Sequence, residues 1–388
     1  MDFQKFLDEY NELDLETLDR EQLESFRGIF VDHGELEKAL EISKIIYETY
    51  EGDEAAIVSY ADNLMHLGMK DDALLVLYKA PRTAQVIFLE GIIYQNEGLN
   101  DVAEDKFRQA LKLSSDDEDL KFMIESYLAN LYTEEGRNDE ALELSLKNFQ
   151  LDPSRNTFIP VFDNLIYSAR FEEAIDFYNE HGRDYEDASI YFAVSFTYNQ
   201  LGDMEKSKEF LLKTIELDEE HQDAHMHLGF MSQGQEAIKY FEKYLDLQGN
   251  SHNVYLQLTT LYKQEERYND IRTLVRKALT EMGVDTDSLY IAINALRELY
   301  ETEKVYGIYK QHNIIKEDAP LLTLTLLTLS EEEDYVDFVE EEVEKYHEFI
   351  KEEYFYYELL QNIYQSKPSS KIEAYLTEVQ NLRFSSME

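Results

Sequence analysis

The one stretch whose residue types could ligate a metal is His221-Gln222-Asp223-Ala224-His225-Met226-His227. His221 and His225 are spaced to share one face of a helix, with Asp223 nearby. His225 and His227 would point in different directions, and the stretch falls at the junction of two helical segments. No metal is therefore expected, and surface or internally bonded histidines are the expectation. The chain has no Cys, which removes thiolate zinc sites and disulfides and suits a reducing compartment. There is no phosphate-cradling Gly-Lys-Ser/Thr loop, no dinucleotide Gly triplet, no Gly-x-Ser-x-Gly elbow and no His-Glu-x-x-His. Paired carboxylates abound, but among 82 acidic side chains their proximity carries no information. No catalytic residue and no cofactor is assigned, and a non-enzymatic function is expected.

The elements behind this are helical. Of 388 residues, 44% are hydrophobic, enough for a large core, while only 5 Pro and 14 Gly argue against an all-β chain with many tight turns. A net charge of -46 would repel phosphate backbones and anionic membranes, so neither nucleic acid nor membrane is an expected partner. A basic partner would be attracted, although such charge also simply keeps a long chain soluble. Met1-Asp2-Phe3-Gln4 lacks the basic and apolar run of a signal peptide. The longest apolar run, Ala319 to Leu329, contains Pro320 and three Thr and is too short to span a bilayer. A cytoplasmic location is expected.

One signature recurs: an aromatic residue or Leu, then Gly four positions later, then Ala or Ser five further on. It reads Phe30, Gly34, Ala39; Leu64, Gly68, Ala73; Tyr94, Gly98, Ala103; Tyr132, Gly136, Ala141; and Tyr198, Gly202, Ser207. Looser copies are Leu165, Ala169, Ala174 and Tyr262, Glu266, Ile271, with another centred on Val305. A shortened copy carries Leu228, Gly229, Gly234 and Ala237. The Gly suits a left-handed residue just past a helix end. A second helix then starts at once, with Asn138 or Asp139 as the expected N-cap in Gly136-Arg137-Asn138-Asp139-Glu140-Ala141. The Ala lies where the two helices cross and needs a small partner, supplied by Gly91, Ala129, Ser195 and Gly229. Pro153 keeps one hairpin from running into the next.

These residues resemble the tetratricopeptide repeat, a helix–turn–helix unit of 34 residues, in the multi-repeat form found in bacterial cytoplasm. Gly91-Ile92-Ile93-Tyr94 with Gly98, Ala103, Phe107 and Ala110 carries the resemblance most closely. The Trp common early in the unit is absent, and Arg27 and Phe162 occupy positions where the family has small residues, so the first and fifth units should pack differently. The resemblance implies an all-α fold, a right-handed α-solenoid of about ten helix–turn–helix repeats with helical caps. Residues 1–20 are expected to form an N-terminal capping helix, 21–315 the repeats, and 316–388 divergent helical repeats and a cap.

It also implies a job: holding a protein or peptide in the concave groove lined by the first helices. Helical projection places Tyr127 and Asn130 inward in the fourth unit, and Phe192, Phe196 and Asn199 in the sixth. His227 and Phe230 follow, then Asn253 and Gln257, then Tyr290 and Asn294. Asn offers donor and acceptor to a peptide backbone, and aromatic rings offer apolar pockets. The competing expectation for each ring is packing within or between repeats. Inward cations are few, chiefly Lys263 and Arg297, which disfavours a clamp for a terminal carboxylate. The expected function is an adaptor or scaffold. The alternatives are a peptide-sensing regulator that changes superhelical pitch, or a repeat-protein aspartyl-phosphate phosphatase. The partner's identity and the oligomeric state are not set by the sequence.

Overall fold

A computed structural model describes residues 3–114 and 116–385. Residues 1–2 and 386–388, the outer ends of the two expected caps, lie outside the described residues. Those described are all-α, with no strand among them. They form two compact units: one runs through Glu186 and includes Phe196–Met204, the other comprises Asp187–Ser195 and the chain from Glu205 onward.

In the first unit α1 (Phe3–Asn11) precedes the hairpins α2/α3 (Arg20–Asp32, Leu36–Thr49) and α4/α5 (Glu54–His66, Lys70–Tyr78). Next come α6/α7 (Ala84–Asn96, Asn100–Leu113), α8/α9 (Glu118–Glu134, Asn138–Leu151) and α10/α11 (Arg155–Tyr167, Phe171–Phe177). Helix α12 (Ala188–Gln200) is shared between the units. The second unit continues with α13 (Met204–Leu217), α14/α15 (Gln222–Phe230, Gly234–Asp246) and α16/α17 (His252–Gln264, Tyr268–Glu281). It ends with α18/α19 (Thr286–Glu298, Thr302–Gln311), α20/α21 (Ala319–Ser330, Val336–Ile350) and α22/α23 (Tyr356–Ser366, Ser370–Ser385).

The hairpin turns follow from the repeated Gly. Gly34, Gly68, Gly98, Gly136 and Gly202 all have φ between +71° and +78°. The next amide bonds back into the finished helix, as in Arg137 N–H to the Tyr132 carbonyl at 2.7 Å. The looser copies make the same turn without Gly: Ala169, Glu266 and Tyr300 sit at φ +54°, +56° and +56°. Because the turn re-enters a helix immediately, Arg137 takes the N-cap of α9 without a side-chain capping bond. Asn138 and Asp139, the expected caps, are instead the first residues of that helix. Gly234 likewise differs from expectation: it opens α15, while α14 closes at Met231.

Small residues sit at the crossings. A Cβ on Gly91 would lie 2.5 Å from the Phe107 ring, and one on Gly229 2.5 Å from Phe241. Ala103 and Ala141 are wholly buried. In the fifth unit the bulky Phe162 stacks on Phe158 at 5.5 Å. The chain after α11 widens into a π-turn over Tyr178–Gly182, whose last residue faces the Phe158 ring. Phe162 stands where other units have a small residue, Phe158 lies against Gly182, and the widened turn accommodates the two rings. Arg27, the other misfit, lies along its own helix and pairs with Glu24 at 2.9 Å.

At the start, α1 packs Phe6 and Tyr10 against Phe30, with centroids 5.4 and 4.6 Å apart. At the other end, α20 is apolar on every side and buried from Leu321 to Ser330. Among the described residues, no helix is long and apolar enough to cross a membrane.

Candidate functional site

Within each unit, first helices lie against first helices: α4, α6 and α8 in one, α16, α18, α20 and α22 in the other. The candidate residues lie on α8 and α12 in the first unit and on α12, α14, α16 and α18 in the second.

In the first unit Asn130 is exposed at the end of α8, whereas Tyr127 is half-buried. The Tyr127 ring sits edge-on to Phe88 at 5.1 Å and tilted on Phe107 at 5.8 Å, so its area is spent on packing between hairpins. Phe196 is 42% exposed, touching Phe171 only edge-on at 6.5 Å. Asn199 is half-buried and its Nδ2 lies 3.5 Å from the Met204 sulfur, a weak acceptor.

In the second unit Phe192 is half-buried and packs on His221 and His227, at 4.7 and 5.7 Å. His227 itself is exposed, as are Asn253 and Gln257, while Asn294 is half-buried. Phe230 is 46% exposed, its ring edge-on to Phe241. Tyr290 is half-buried beside His252 at 5.2 Å, and burial raises its hydroxyl pKa. Among the described residues, the side chains of Asn130, Asn253, Gln257 and Asn294 make no hydrogen bond.

The structure adds one residue that the projection passed over. Asp163 on α10 stands one repeat after Asn130 and one before Phe196, and its carboxyl is pushed up to about 6 by burial. The 33-residue register from Asn130 pointed to it, had each position been followed through all units. The two inward cations are already engaged. Lys263 pairs with Glu298, and Arg297 pairs with Glu331 at 2.6 Å and Glu358 at 3.3 Å. A carboxylate clamp built on them would first have to break these contacts.

The histidine stretch has structural work. His221 caps α14, its Nδ1 accepting from the Ala224 amide at 3.3 Å. His225 is buried and its Nε2 donates to the Glu219 carbonyl at 2.9 Å. Elsewhere His347, Glu348 and Glu378 cluster closely enough to suggest a metal site. There Lys351 Nζ already sits 2.7 Å from Glu348 and 3.3 Å from Glu378, where a cation would go. His347 Nδ1 meets the Tyr356 hydroxyl at 2.7 Å, and its ring stacks on Tyr375. The group ties α21, α22 and α23 together.

Comparison with known proteins agrees with the repeat reading. A family model for the tetratricopeptide repeat matches residues 188–221. The TPR repeat-containing protein YpiA of Bacillus subtilis (strain 168) is 24% identical over 289 residues, 72% of this chain and 66% of that protein. The match thus spans just under two thirds of the relative's own length. Among solved structures, YrrB, described as a TPR protein with an unusual peptide-binding site, shares 20% identity with TM-score 0.40 over 49% of this chain and 98% of its own. A tetratricopeptide repeat protein from Parabacteroides merdae ATCC 43184 shares 16% identity with TM-score 0.43, covering 63% of this chain and 100% of its own.

Proposed function

We propose that this tetratricopeptide-repeat protein is a non-enzymatic adaptor that holds a protein or peptide segment on its first-helix layer. The observation that supports this is the occurrence, within each unit, of unengaged amides together with an exposed ring on first helices: Asn130 with Phe196 in one, and Asn253, Gln257 and Asn294 with Phe230 in the other. Asn130, Asn253, Gln257 and Asn294 have donors and acceptors to spare, and Phe196 and Phe230 leave ring area open. Such amides can pair an extended backbone at no cost to the fold, and the rings can receive apolar side chains. The cations of the layer are spent on ion pairs, so an acidic or carboxylate-ended partner is disfavoured and a neutral or basic one favoured.

Selection of binding peptides from a random library against the full chain, repeated with Phe196→Ala and Phe230→Ala, tests the proposal. The expected result is a peptide whose affinity falls about tenfold or more in at least one variant, as for a ring at a binding hot spot. Peptides that bind both variants as tightly as the parent would place the site elsewhere.

A further inference from the structure

Helices α8, α9 and α10 enclose a pocket of about 330 Å³ that the groove residues do not account for. Asn130 stands at its edge, Ser126 and Ala129 line it from α8, and Asn148 closes it from α9. Asp152, Asn156 and Pro160 line it from the α9–α10 junction. Asn148 is only 4% exposed, and its Oδ1 has no hydrogen-bond partner. Its orientation is fixed by its neighbours. The Ser126 hydroxyl donates to the Phe122 carbonyl at 2.9 Å and must accept from Asn148 Nδ2, also at 2.9 Å. The unmet atom is thus an acceptor.

Two more acceptors line the same space. Pro160 has no N–H, so the carbonyl of Asn156 lacks its helical donor. Asp152 uses Oδ2 to accept from Ser154 at 3.0 Å. The hydroxyl of Thr157, which could have served as a donor there, is turned to the Asp152 and Ser154 carbonyls. A pocket with acceptors converging from three segments, one of them a carboxylate, calls for a ligand rich in N–H donors and positively charged.

We infer that this pocket receives the guanidinium of an arginine side chain from a partner segment. A guanidinium carries five N–H donors in a planar fork, able to meet acceptors on separate segments at once, which a single ammonium does less well. The volume holds one long side chain and not a folded element. The net charge of -46 draws such a partner in. The inference deepens the adaptor reading and rests on it for the course of the rest of the partner.

The test uses acetyl-arginine methylamide as the probe on the full chain, read by the side-chain amide resonance of Asn148, which Asn148→Leu identifies by its loss. A saturable shift is expected, and the citrulline analogue, which keeps donors but loses charge, should bind about tenfold more weakly. The lysine analogue should also be weaker. Asp152→Asn, an exposed substitution that leaves the fold intact, should weaken the arginine probe several-fold. No saturable shift, equal binding of citrulline, or indifference to Asp152→Asn would each overturn the inference. Because the probe reads the pocket without any partner, its failure leaves the groove proposal standing. Failure of the groove variants likewise leaves the pocket measurable.

Discussion

Asn148 and Asp163 carry the least expected consequences at the level of single residues. A buried acceptor without a donor costs about 1–3 kcal/mol. Asn148→Leu, with the same branched skeleton beside an open pocket that can take its larger methyls, removes that acceptor while giving up one bond to Ser126. It should leave the chain as stable or raise stability by about 1 kcal/mol in denaturant unfolding, whereas a loss of several would mean that Asn148 is satisfied in the fold. Asp163 holds its proton more tightly folded than unfolded, at about 6 against roughly 3.9. Its contribution to stability is therefore complete below about pH 4 and is lost as the pH rises through 6. Asp163→Asn should be more stable than the parent by about 1–2 kcal/mol at pH 7, with the difference vanishing near pH 4. A constant difference across that range would show that burial is not what shifts the carboxyl. Asp163 stands on the 33-residue register from Asn130, whereas Asn148 is not legible in its role from sequence. Asn148 becomes an orphan only through what Ser126 does, and Pro160 matters only because α10 brings it to the same pocket.

At the level of elements, the turn between helices is where local chemistry and repeat stacking meet. The Arg137 guanidinium lies over the Tyr132 ring at 4.0 Å and forks onto Glu104 of the preceding hairpin and Glu140 of its own. Arg267 repeats the arrangement over Tyr262, with Glu242 and Asp270. Arg137, then Tyr132 and Arg108, hold the Glu104 carboxyl down to about 2 against the opposing effect of burial. That stability is present above the unfolded value of about 4.3 and is lost as the pH falls toward 2. Glu104→Gln should cost about 1–2 kcal/mol at pH 7, roughly half of that at pH 3 and little near pH 2, measured by unfolding at each. The crossings make a different demand: Ala103→Leu or Ala141→Leu should cost about 1–3 kcal/mol by overpacking, and unchanged unfolding in both would contradict the repeat register. The glycine turns and the small crossing residues were readable because each answers a backbone constraint that only a few residue types meet. The left-handed Ala169, Glu266 and Tyr300 were less readable, since tertiary packing overrides the local preference there. The π-turn after α11 depended on how Phe158 and Phe162 stack, which spacing alone does not reveal.

For the molecule as a whole, the proposed first-helix site has to be told apart from a strongly acidic surface of net charge -46. The all-α repeat was legible in the sequence because one signature returns along most of the chain. The candidate site was legible only as a column of residues: Asn130, Asn253 and Gln257 from that column are exposed, but the projection could not tell that Tyr127 is spent on Phe88 and Phe107. Attraction to the acidic surface alone would fade with salt, since the screening length shortens from about 10 Å at 0.1 M to about 3 Å at 1 M. Contacts to amides and rings would not. The decisive measurement is the affinity of the library-selected peptide for wild type and the Asn130→Ala/Asn199→Ala double variant, each at low and high salt. Wild type is expected to retain binding at high salt, while the folded double variant loses it at both. Binding that survives in the double variant and disappears at high salt would contradict a site on the first-helix layer and move it to the acidic surface.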